Sequence, residues 1–125
     1  MGYLKKLHKP YECLQSRSDE SAMKKAHDGN KFVISQIDYV GGLEFDAVVI
    51  IGVDGGRVPP SNTGEGDAYH VISYAWHSRM YVAVTRARYA VAMYGDMSKG
   101  ISNLLYLSIV GGSLKYFGPD INGLR

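Results

Sequence analysis

The chain has 125 residues, 46% hydrophobic and 21% charged, with 14 Lys and Arg against 12 Asp and Glu and a formal net charge of +2. That balance describes one globular domain with room for one packed core; it excludes an intrinsically disordered chain and gives no argument for nucleic acid by itself. Cys13 is the only cysteine, which excludes a disulfide framework and a thiolate metal cluster, and every apolar run falls well short of the ~20 residues of a membrane helix. The expectation is a soluble, cytoplasmic protein with no membrane partner.

In chain order, residues 1–30 are polar, with charges of both signs and no sustained apolar period, and read as a weakly structured lead-in. Within it, Ser16–Asp28 offers at most a short exposed helix. Residues 31–112 carry the folded part. Phe32, Val33, Ile34 and Ile37 predict a strand, and Gly41-Gly42 a turn. Ala47–Val53 is a largely β-branched run of the kind found in parallel sheets covered on both faces. Gly55-Gly56, Pro59-Pro60, Gly64 and Gly66 then predict a loop from Asp54 to Gly66.

Asp67 is the predicted cap of the next helix, where Ile72, Trp76, Met80, Ala83 and Ala87 recur at three- and four-residue spacing as far as about Arg88. Tyr89–Tyr94 reads as a second buried strand. Ser102 is the predicted cap of a last helix that Gly111-Gly112 stops, and 113–125 is an irregular tail. Strand, crossover helix and strand make a βαβ unit, so the fold class is α/β, with a mostly parallel sheet flanked by helices. In such sheets functional residues collect at the carboxyl ends of the strands.

Two charged residues stand beside apolar elements. Glu44, in the turn before the first buried strand, offers a carboxylate able to accept from a ribose hydroxyl; it serves equally as a local cap or salt-bridge partner. Arg86, near the end of the long helix, offers a guanidinium fork suited to phosphate and to the charge that develops in phosphoryl transfer. Arg79, seven residues earlier on the same helical face, adds to that surface. On spacing alone, Arg79, Arg86 and Arg88 read as readily as solvated cations near a helix C-terminus. His70 and His77 share a helical face without a third ligand in register, so no metal site is expected.

The segments around these residues resemble a known family. Gly42–Val53 (GLEFDAVVIIGV), followed by Gly56-Arg57-Val58-Pro59, resembles motif V of UvrD/Rep-type superfamily 1 helicases and the strand and loop after it. Met80–Arg88 (MYVAVTRAR) resembles motif VI, in the right order, and the likeness covers roughly residues 32–107. The resemblance implies the C-terminal part of the second RecA-like (P-loop NTPase-type, 2A) motor domain. It implies ATP with Mg²⁺ in a cleft completed by an N-terminal RecA-like motor domain. Glu44 would then contact the nucleotide ribose, Arg86 would be the catalytic arginine finger at the γ-phosphate, and Gly42 would allow close backbone approach.

The segment before Gly42 would meet single-stranded DNA. There the family's Thr, His and Lys are replaced by Gln36, Asp38 and Gly41, and a Lys lost with an Asp gained weakens phosphate attraction. The acidic and basic residues that usually open the motif VI helix are replaced by Ala75, Trp76, His77 and Ser78. No G-x-x-x-x-G-K-[ST] phosphate loop occurs in the 125 residues, so this chain alone is not expected to hydrolyse ATP. The alternative is a degenerate helicase-derived binding module without a catalytic role.

Overall fold

A computed structural model describes residues 10–60 and 66–120. The basic start at 1–9, Gly64 of the predicted loop and the last part of the tail, 121–125, lie outside the described residues. The chain is mixed α/β, with two separate two-stranded parallel sheets. Among the described residues no helix is long and apolar enough to cross a membrane.

The stretch read as an irregular lead-in carries regular structure. β1 (Tyr11–Cys13) pairs in parallel with β2 (Phe32–Ile34), and α1 (Glu20–Asp28) connects them. The Asp19 side chain caps α1 by accepting from the Ala22 amide at 3.1 Å, and its second oxygen accepts from the Gln15 amide at 3.1 Å. The helix ends in a Schellman motif. Asn30 takes the left-handed position at φ 49°, its amide donates to His27 O at 3.2 Å, and the Lys31 amide donates to Ala26 O at 2.8 Å. Ala22 and Ala26, one turn apart, bury their small side chains, and Leu14 is buried with them. Two alanines and a leucine carry too weak an apolar period to stand out against the charges around them, which is why the sequence understates this unit.

A short 3₁₀ turn, Ile37–Tyr39, follows β2 where the sequence predicted continuing strand. The central unit is β3 (Phe45–Ile51), α2 (Asp67–Thr85) and β4 (Ala87–Tyr94), the strands parallel and adjacent. Asp67 proves to be the first residue of α2 rather than its cap. Gly66 holds the cap position at φ 70° with no side-chain bond to the helix, and Asp67 acts only as an acidic group in the first turn.

Val48, Ile50, Val91 and Met93 are half-buried on one face of the strand pair, and Ile50 and Met93 pack on Val53, Val58 and Met80. Ile37, Trp76, Leu104 and Leu105 complete that core. The other face is open, contrary to the expectation of cover on both sides. Val49 is 59% exposed, Ile51 80% and Tyr94 62%. The β-branched run reports the capacity of both faces to be buried, but α2 and the core lie on one face only.

Beyond the carboxyl ends of β3 and β4 the chain is tied shut. Asp54 and Ser102 are fully buried. Asp54 accepts from the amides of Gly56 (3.3 Å) and Asp96 (3.1 Å), and Arg57 approaches it to 3.7 Å. Ser102 caps α3 (Asn103–Val110), as expected, accepting from the Leu104 amide at 3.2 Å, while its hydroxyl donates to the Val58 carbonyl. Gly111 takes the C-cap position of α3.

Candidate functional site

Glu44 and Arg86 come together through the backbone. Each immediately precedes a strand of the same parallel pair, so pairing β3 with β4 brings residues 43–45 beside residue 86. The Phe45 amide donates to Arg86 O at 2.8 Å, and Arg86 Nη1 donates to Leu43 O at 3.5 Å. The cluster therefore stands at the amino ends of the strands, where the sequence placed both residues; beyond the carboxyl ends, where such sheets commonly carry their functional residues, lie the buried Asp54 and Ser102.

Arg86 is half-buried and follows the last residue of α2 as its C-cap. Its Nε donates to Val82 O at 3.2 Å and its Nη2 to the Thr85 hydroxyl at 3.3 Å. Thr85 is itself steadied by donating to Tyr81 O at 2.8 Å, bonding back onto the preceding turn. All of these acceptors are neutral oxygens. Among the described residues no ion pair involves Arg86. The guanidinium is thus held by neutral acceptors, with no carboxylate within ion-pair distance among the described residues.

Glu44 is exposed and paired, and its partner is one that sequence reasoning left as a solvated cation. Arg88 Nη2 and Nε donate to Glu44 Oε2 at 2.9 and 3.3 Å, and Arg88 Nη1 lies 3.9 Å from Asp46 Oδ1. The hydrogen bond from Arg88 to Glu44, reinforced by the attraction of that carboxylate and of Asp46, holds the Arg88 pKa above its ordinary value. The signal was available once β3 and β4 are taken as neighbours, because Phe45 and Ala87 are then directly opposite.

Gly42 has φ 80°, a conformation that favours glycine, and it turns the chain toward Glu44. Two of the three residues expected at single-stranded DNA, Asp38 and Gly41, are engaged within the chain. Asp38 is paired with Arg79 Nε at 3.0 Å, and Arg79 also lies over the Trp76 ring, 5.1 Å from its centroid. That pairing takes Arg79 away from the Arg86 surface that the helical spacing offered it. The Gly41 carbonyl accepts from the Ser18 hydroxyl at 2.8 Å, and the Ser18 amide donates to Tyr39 O at 3.1 Å. The Gln36 side chain is exposed. Ser18 was invisible in the sequence, since nothing there ties residue 18 to residue 41.

Among the described residues no group of three His, Cys, Asp or Glu side chains is placed to hold a metal ion. Arg86 and Glu44 stand at the same end of the strand pair, and among the described residues no acidic cluster accompanies them. Neither a family model nor a curated protein matches the chain.

Proposed function

We propose that this chain is the C-terminal part of the second RecA-like motor domain of a UvrD/Rep-type DNA helicase, forming one wall of an ATP site. The observation that carries the reading is Arg86, held by three neutral acceptors and, among the described residues, without an anionic partner. ATP would supply a polyphosphate, and in transfer charge is spread over the equatorial oxygens of the γ-phosphoryl group while the bond electrons pass to the leaving β-phosphate oxygen, all within reach of Arg86. Arg86 stabilises that charge, and because the protein already aims the guanidinium, little reorganisation is spent at the moment of transfer. Glu44 orients the nucleotide by accepting from its ribose. The phosphate loop and the Mg²⁺ ligands belong to the N-terminal motor domain. Of the three residues expected at single-stranded DNA, the exposed Gln36 is the one best able to reach a phosphate, since Asp38 and Gly41 are engaged within the chain.

The test is ATP hydrolysis by the motor assembled from this chain and the N-terminal RecA-like domain. Arg86→Ala lowers kcat by roughly 10³-fold or more with the circular dichroism spectrum unchanged. Arg86→Lys, which keeps the charge without the fork, recovers only part of the loss. Turnover by Arg86→Ala within tenfold of wild type refutes the reading. The second reading, a binding module without catalysis, is favoured by the open apolar face of β3 and β4. It requires a partner whose binding survives Arg86→Ala and is lost on Ile51→Asp.

A further inference from the structure

We propose that Arg88 is a positioning residue for the nucleotide sugar. It holds Glu44 by one carboxylate oxygen so that the other is free to accept from a ribose hydroxyl. This rests on the reading of Arg86 and Glu44 as the wall of an ATP site.

Three features of the geometry lead to it. Both bonds from Arg88, Nη2 at 2.9 Å and Nε at 3.3 Å, end on the same atom, Glu44 Oε2. A side-on pair would take one lone pair from each carboxylate oxygen; this one places both bonds on Oε2 and leaves Oε1 with its full accepting capacity. Second, Arg88 is itself restrained from the far side, because Nη1 faces Asp46 Oδ1 at 3.9 Å. The guanidinium therefore has a carboxylate on each side, Glu44 within hydrogen-bond distance and Asp46 within ion-pair distance.

Third, the ladder is irregular at this point. From the pair Phe45–Ala87 to the pair Ala47–Ala90, β3 advances two residues and β4 three, so the extra residue lies on β4 between Ala87 and Ala90. Arg88, Tyr89 and Ala90 are consequently all exposed in succession, which a regular strand does not allow. Bulges of this kind re-aim side chains next to functional sites. Here the bulge stands two residues from Arg86.

A carboxylate that swings freely through several rotamers pays an ordering cost when it meets a hydroxyl; one already held does not. Arg88 therefore contributes to ribose recognition without touching the nucleotide. Arg86, whose bonds are to other oxygens, contributes to the phosphoryl step independently.

The experiment compares ATP with 2′,3′-dideoxyATP, which lacks both ribose hydroxyls, as substrates of the assembled motor. Wild type prefers ATP by about tenfold in kcat/KM, the size of a hydrogen bond to a charged acceptor. Glu44→Ala abolishes the preference. Arg88→Ala reduces it to within about threefold by raising KM for ATP, with kcat within twofold of wild type, and Arg88→Lys restores part of it. An unchanged preference in Arg88→Ala overturns the positioning role. So does a fall in kcat with the preference intact, which would put Arg88 on the phosphates. Failure of the ATP-site reading is separate, because it shows as normal turnover by Arg86→Ala.

Discussion

Asp54→Ala isolates what closes the carboxyl ends of the central strands. The Asp54 side chain has no solvent exposure, and it accepts from the amides of Gly56 at 3.3 Å and Asp96 at 3.1 Å. One acceptor thereby ties the turn after β3 to the turn after β4. Removing it leaves two amide donors without an acceptor, each costing about 1–3 kcal/mol if water does not reach it. Against this stands the relief of no longer burying a carboxyl group, whose ion-pair partner among the described residues is Arg57 at 3.7 Å. The net expectation is a loss of about 2–4 kcal/mol, a large share of the 5–15 kcal/mol that holds an ordinary domain together.

Urea unfolding followed by far-ultraviolet circular dichroism at pH 7 measures it. The midpoint falls by about 1–3 M at an unchanged slope of about 1.5 kcal/mol per M. Asp54→Asn keeps the volume and one acceptor oxygen and loses about half as much. An Asp54→Ala midpoint within about 0.3 M of wild type refutes the argument, because it means that water or a rearranged loop satisfies both amides without cost.

Two further outcomes follow from the caps. The bond from the Ala22 amide, with a second from Gln15, lowers the Asp19 pKa below its ordinary 3.8. A depressed folded-state value gives stability that is present above the unfolded pKa and lost as pH falls through the folded one. Asp19→Asn is therefore less stable than wild type at neutral pH. The gap in urea midpoint closes as pH is taken down through and below about 3.8; a gap independent of pH contradicts the cap. Ser102→Ala removes both the cap of α3 and the tie to Val58 at a fully buried position. The expected loss is about 2 kcal/mol with fraying of α3, read by amide hydrogen exchange at Leu104 and Leu105. Exchange there as slow as in wild type rules it out.

Strong local patterns were legible from the chain: β3 and β4 as β-branched or apolar runs, α2 from its helical spacing, and Ser102 as a cap. In the β1–α1–β2 unit, β2 was read as a strand and α1 as at most a short exposed helix, but β1 and the packing of the three were not legible, because the burial rests on Leu14 and two alanines and the closing turn on Asn30. Such residues carry almost no periodic signal. The candidate site divides in the same way. Glu44, Arg86 and Gly42 stand out by residue type and motif, whereas Arg88, Thr85 and Ser18 acquire their roles only from neighbours distant in sequence.

By itself, then, the sequence determined which segments are helix and strand in the central unit, because propensity and hydrophobic period are local properties. Through its resemblance to the helicase motifs it also drew attention to the Arg86 guanidinium and the Glu44 carboxylate. Only the tertiary structure decided that these meet at the amino ends of the strands, that Arg88 rather than Arg86 binds Glu44, that Asp38 is spent on Arg79, and that one face of β3 and β4 stays open. Those outcomes depend on strand register, on a bulge and on which elements are present to cover a face. None is a property of a short window of residues; each is settled by which distant groups satisfy one another once the backbone has closed.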